Sequence, residues 1–168
     1  MNESKSARAA DGMDPAMTVE ANHAKAVDQL KSYCRGEMSA VETYDRALAK
    51  DDLFGGVADV LRTCQQSHQK RVAILREHIR AQGGEIPESS GAWGTLVKLL
   101  EGAAATVSKK MAISLLEEGE DHGVSDYQAD VSSLPAEDQR LVLDELLPAQ
   151  LETHRQMSSL KQAVTGGA

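Results

Sequence analysis

The amino-acid sequence predicts an all-α protein, and three observations carry that expectation. Apolar residues recur at three-and-four spacing through four long stretches, as in helices with one buried face. With three Tyr, one Trp and one Phe, the core has to be aliphatic and alanine-rich, which suits close-packed helices and is poor for sheets. The breaks between the stretches are short, longer and short in turn, so two helical hairpins joined by a crossover can bury all four stripes as an up-down four-helix bundle. At 168 residues, 41% of them hydrophobic, the chain is sized for one domain that needs no staple.

Residues 1–17 are polar and small, broken by Gly12 and Pro15, and read as a flexible N-terminal tail before a bundle domain over 18–164. Val27, Leu30, Cys34, Met38, Val41, Tyr44 and Leu48 define a first helix over 19–50, about 48 Å long at helical rise. Asp51 and Asp52 are good caps for a second, 52–82, carried by Leu61, Cys64, Val72, Leu75 and Ile79 and stopped by Gly83 and Gly84. Pro87 and its neighbours make a surface crossover, and Trp93 after it is expected to cover the end of the bundle. A third helix, 92–131, follows from Leu96, Leu99, Val107, Met111, Leu115 and Leu116 and extends through Val124, Tyr127 and Val131. Ser132, Ser133 and Pro135 mark the boundary before the fourth, 135–164, whose face reads Leu141, Leu143, Leu147, Leu151, Met157, Leu160 and Val164. Pro148 lies inside it and should kink it; residues 165–168 form a loose C-terminal tail.

A net charge of −8, with no basic run among aromatics, opposes nucleic-acid binding. No window approaches the 18 uncharged apolar residues of a membrane span, and the N-terminal residues lack the apolar stretch of a signal sequence. Two cysteines, Cys34 and Cys64, read as buried thiols in a reducing, cytoplasmic setting.

The informative residues are polar ones inside the apolar stripes. Glu37 takes the slot between Cys34 and Val41, and His68 the slot between Cys64 and Val72. A turn near residues 51 and 52 brings them to similar heights. His154 follows Leu147 and Leu151 on the expected inward side of the fourth helix, while Glu117, Glu118 and Glu120 cluster where the Leu-rich face of the third ends. Buried carboxylates and imidazoles are costly unless hydrogen-bonded, neutralised or coordinated. Three readings stay open: a metal-free hydrogen-bonded cluster, a divalent ion held between facing helices, or general acid/base chemistry on an organic substrate.

The segments Gly36-Glu37-Met-Ser-Ala-Val-Glu42-Thr-Tyr44 and Cys64-Gln65-Gln-Ser-His68 resemble the ferritin-like superfamily, and residues 22–164 as a whole look similar to small bacterial ferritin-like four-helix bundles known only as a domain of unknown function. The resemblance implies a ferritin-like up-down bundle whose four helices supply Glu, Glu-x-x-His, Glu and Glu-x-x-His to a metal centre. Glu37, His68, Glu120 and His154 match four of those positions; Gln65 and Leu151 stand where two carboxylates would be. It therefore implies a degenerate site for one divalent ion (Fe, Zn or Mn), with Gln65 as a weak ligand or hydrogen-bonding support. Register leaves the third-helix ligand open: Glu120 lies about 10 Å out of step with His154 at helical rise, and Glu117 fits better. The expected function is that of a ferritin-like bundle with a degenerate Glu/His site between its helices for one divalent ion, forming a homodimer, with enzymatic activity left open. The alternatives are a structural or interaction protein with a metal-free polar cluster, or a weak di-metal oxidase or ferroxidase. Tyr44 and Tyr127 are expected to pack in the core, and His23, His78 and His122 to face solvent.

Overall fold

Thirty-four residues, Pro15–Leu48, form the first helix, α1, in the computed structural model, which describes residues 15–50, 54–91 and 108–166. Trp93, the caps Asp51 and Asp52 and the first half of the third predicted helix lie outside the described residues. A 3-10 turn at Gly55–Val57 leads into α2, Ala58–Ala81. Gly83 (φ 76°) stops it: its N–H bonds to Arg80 O at 3.0 Å and that of Gly84 to Ile79 O at 2.9 Å, a left-handed cap that glycine adopts without strain. Ser108 then caps α3, Lys109–Asp130, by accepting from Met111 N at 3.3 Å.

The fourth rod is one continuous run in three parts: α4 (Ala136–Leu141), a π-helical turn (Val142–Leu146) and α5 (Leu147–Gly166). The wide turn lies directly ahead of Pro148, which has no N–H to give the carbonyl four residues back and whose ring crowds it. The expected disturbance at Pro148 thus takes the form of a register change, with Leu147 N–H reaching back five residues to Val142 O.

α1 lies along α2 and α3 along α5, each pair antiparallel, with lighter contacts between the two hairpins. Tyr44 meets Glu120 and Tyr127 meets Glu37, so α1 and α3 also run in opposite directions. The helix directions are therefore up, down, down, up rather than strictly alternating, and residues 82–91 after α2 lead back along α1. Ser90 donates to Glu42 Oε2, in the last two turns of α1, at 2.8 Å.

Burial follows the sequence stripes in α1 to α3 except at Met111, which is exposed at the start of α3, whereas in the fourth rod the inward track is Val142, Leu146, Gln150, Thr153 and Met157. Of the face expected there, Leu141 and Met157 are buried and Leu147, Leu160 and Val164 pack against the clusters, but Leu143 and Leu151 are exposed. Two apolar clusters result. Val27, Leu30, Tyr33, Leu75, Ile79, Leu141 and Leu146 fill one half of the bundle. Tyr44, Phe54, Leu61, Ile113, Leu116 and Met157 fill the other. Cys34 and Cys64 are buried thiols, one in each cluster, as expected. A polar layer separates the clusters.

The close seating of the α2 cap on α1 gives a direct test. A Cβ at Gly84 would stand 2.6 Å from Val27 Cγ1, 2.9 Å from Ile79 Cγ2 and 3.2 Å from the Ile79 carbonyl. Gly84→Ala is expected to lose roughly 1–3 kcal/mol in urea unfolding. Gly36→Ala, with nothing within 4 Å of the new carbon, loses none.

Candidate functional site

Each rod contributes two residues to the polar layer. Glu37 and Tyr44 come from α1, His68 and Arg71 from α2, Glu120 and Tyr127 from α3, and Gln150 and Thr153 from α5. The helical period accounts for the choice: residues three or seven apart lie on one face. A two-fold logic relates the hairpins, with Glu-x6-Tyr on α1 and α3 and an i, i+3 polar pair on α2 and α5.

The two carboxylates are tied together through His68, whose Nδ1 lies 2.7 Å from Glu37 Oε2 and Nε2 2.9 Å from Glu120 Oε1. Arg71 Nε donates to Glu37 Oε1 at 2.8 Å, and its Nη2 to Gln150 Oε1 at 2.8 Å. The tyrosines cross over: Tyr127 OH donates to Glu37 Oε1 and Tyr44 OH to Glu120 Oε1, both at 2.6 Å. Gln150 Nε2 and Thr153 Oγ1 donate to Glu120 Oε2 at 2.7 and 2.6 Å. All four carboxylate oxygens thus accept at least one hydrogen bond.

The charges balance, with Arg71 and a protonated His68 facing two carboxylates. Burial alone would raise the Glu37 carboxyl, but Arg71 and His68 outweigh it and bring it down to about 2. Glu120 is lowered likewise, against burial, by His68, Thr153 and Tyr44. For His68, burial works against the charged form, and the flanking carboxylates overcome it and raise its pKa. With both ring nitrogens facing carboxylates, a protonated His68 can donate from each. Arg71 Nη2 also lies 2.7 Å from Nδ1, an approach of two cations that Glu37 permits by accepting from both. Burial, and then the neighbouring carboxylates, keep both tyrosines protonated as donors.

Of the residues singled out in the sequence, Glu37, His68 and Glu120 meet. Glu120 rather than Glu117 faces the centre, because Gln150 and Thr153, not His154, hold the inward positions of α5. His154 sits at the rim with Asp121, and Glu117 pairs with Lys161 on the same side. Gln65 also turns away, donating to Asp45 on the outer side of the α1/α2 pair. The corrections at Glu117 and His154 share one cause: the π turn displaces the middle of the α5 face by one residue. His78, expected in solvent, bonds to buried Asp138 at 2.7 Å, whereas His23 and His122 are exposed. Arg71 went unrecognised although it lies three residues after His68 and four before Leu75, both on the inward stripe. Tyr44 and Tyr127 pack in the core as expected and also hold the carboxylates.

A cleft of about 90 Å³ between α1 and α3 reaches the layer, passing Gly36, Ala40, Gly119 and Gly123 and opening beside His122 and Asp126. It has room for a few waters. Among the described residues, no helix is long and apolar enough to cross a membrane. Comparison of the chain with family models, with curated proteins and with solved structures gives no match.

The shifted ionisations set a stability profile. Glu37 stabilises fully above its ordinary value near 4.5, and the contribution is lost as pH falls toward about 2. His68 stabilises fully below its ordinary value near 6.5 and loses this as pH rises through its raised value. Urea unfolding across pH should therefore show a plateau between about 4.5 and 6.5 with a limb on each side. Glu37→Gln flattens the acid limb and His68→Gln the alkaline one, each lowering the plateau by roughly 3–5 kcal/mol.

Proposed function

We propose that this chain is a non-catalytic bundle of ferritin-like plan whose central layer carries its own cations in place of a metal, and that the layer fixes how the two hairpins dock. The observation that carries this reading is Arg71, almost fully buried at the centre and bonded to Glu37, Ser67 and Gln150.

Carboxylate-bridged di-metal bundles take one Glu from each of two helices and a Glu-x-x-His pair from each of the other two. This layer has that layout, with Glu37 and Glu120 as the single carboxylates. Its i, i+3 pairs, however, are His68-x-x-Arg71 and Gln150-x-x-Thr153. Two carboxylates are absent, a guanidinium has been added, and both nitrogens of His68 are turned to carboxylates. This donor set does not fit a divalent ion, which would have to sit beside Arg71 and displace existing hydrogen bonds. The oxidase and ferroxidase readings lose their support with it. No carboxylate oxygen of the layer is left without a donor to take a proton from a substrate.

What such a layer supplies is specificity. Slipping one hairpin against the other by a turn would strand charges between two apolar clusters, and breaking a buried pair costs roughly 3–5 kcal/mol. The test is metal content by mass spectrometry on protein purified without chelator and re-exposed to Fe(II), Zn(II) or Mn(II). Glu37→Gln and Glu120→Gln are expected to carry as much metal as the unaltered chain. Loss of about one equivalent in either folded variant would overturn the reading.

A further inference from the structure

Away from the central layer, the α3/α5 groove holds a second constellation that the polar core does not use. Glu117 and Asp121 stand one turn apart on α3, and His154 faces them from α5. One ligand atom from each, a carboxylate oxygen from the acids and a ring nitrogen from the histidine, lies within 4.8 Å of the other two. His154 Nε2 is 2.7 Å from Asp121 Oδ1. We propose that Glu117, Asp121 and His154 form a binding site for one first-row divalent cation, zinc foremost, at the rim of the bundle.

The geometry asks for little rearrangement. Zinc held at about 2.0–2.2 Å from nitrogen and oxygen places tetrahedral ligand atoms about 3.3 Å apart, so the His154–Asp121 pair opens by about 0.6 Å. The ion takes the place of the proton now shared between Nε2 and Oδ1. Glu117 is already oriented: its side chain is only 12% exposed, Ser158 Oγ donates to Oε1 at 3.1 Å and Lys161 Nζ to Oε2 at 2.6 Å. The Ser158 bond is of the kind that fixes a carboxylate's direction in metal sites, whereas the Lys161 ammonium competes with a cation for Glu117. Asp121, 60% exposed, and His154, 29% exposed, leave the outward positions to water.

Charge and ligand chemistry agree. Two carboxylates against one ammonium leave the site negative, and Glu118 adds to the field on Lys161. One imidazole with two carboxylates suits zinc and its first-row neighbours, whereas magnesium and calcium prefer oxygen alone. Lys161 is the competitor, since its ammonium neutralises an oxygen of Glu117 that the cation would otherwise draw on. This site shares no residue with the central layer, so each stands or falls separately.

The experiment titrates the full chain with Zn(II) alone by calorimetry, and with Co(II) followed by visible absorption. One equivalent is expected to bind, with cobalt ligand-field bands. His154→Ala and Asp121→Asn should each weaken binding roughly tenfold or more, since losing a direct ligand costs no less than losing its support. Both positions are at the rim, so these variants keep the fold. Lys161→Met should tighten binding, and Glu37→Gln should leave it unchanged. Absence of saturable binding, or saturable binding that survives both His154→Ala and Asp121→Asn, would overturn the site.

Discussion

The bundle depends on one bridge: the imidazolium of His68 held between Glu37 and Glu120, carboxylates from the two different hairpins. A carboxylate buried without a partner is among the costliest features a core can contain. Here two are placed between apolar clusters, and each is made tenable by a cation from α2. The remaining members of the layer follow from that constraint. Glu37 and Glu120 keep further lone pairs, so each takes a phenol from the opposite hairpin, and Glu120 adds Gln150 and Thr153.

The same constraint explains the irregular fourth rod. Gln150 and Thr153 have to face inward to serve Glu120, although leucines at 143, 147 and 151 offer a more apolar track. The π turn before Pro148 inserts the extra residue that sets this phase, and Leu143 and Leu151 face outward. Gly123 completes the fit: a Cβ there would stand 2.7 Å from Gln150 Nε2, so the side chain that joins Arg71 to Glu120 needs the glycine opposite it.

Much of this was legible in the sequence. Three-and-four spacing located the helices, and the interruptions of the stripes at Glu37 and His68 located the level of the polar layer. Glu120 could be placed only as one of two candidates. Arg71 was passed over because Val72 beside it satisfied the apolar period, although the arginine shares the same face. Only the middle of the fourth helix escapes the pattern, because hydrophobic periodicity follows Leu143 and Leu151 and has no term for a π turn. That mismatch put His154 in the core with Glu37, whereas it belongs with Asp121 at the rim. The Glu-x-x-His template compounded it by drawing attention to Gln65 three residues before His68, when the informative partner is Arg71 three residues after.

The most direct measurement is nitrogen-15 NMR of the His68 ring in the intact chain at about pH 8, more than a unit above the ordinary histidine value of ~6.5. The account predicts an imidazolium, with both nitrogens protonated and both protons in strong hydrogen bonds to carboxylates. A neutral ring whose Nδ1 accepts from Arg71, or a ring with one nitrogen bound to a metal, would contradict it.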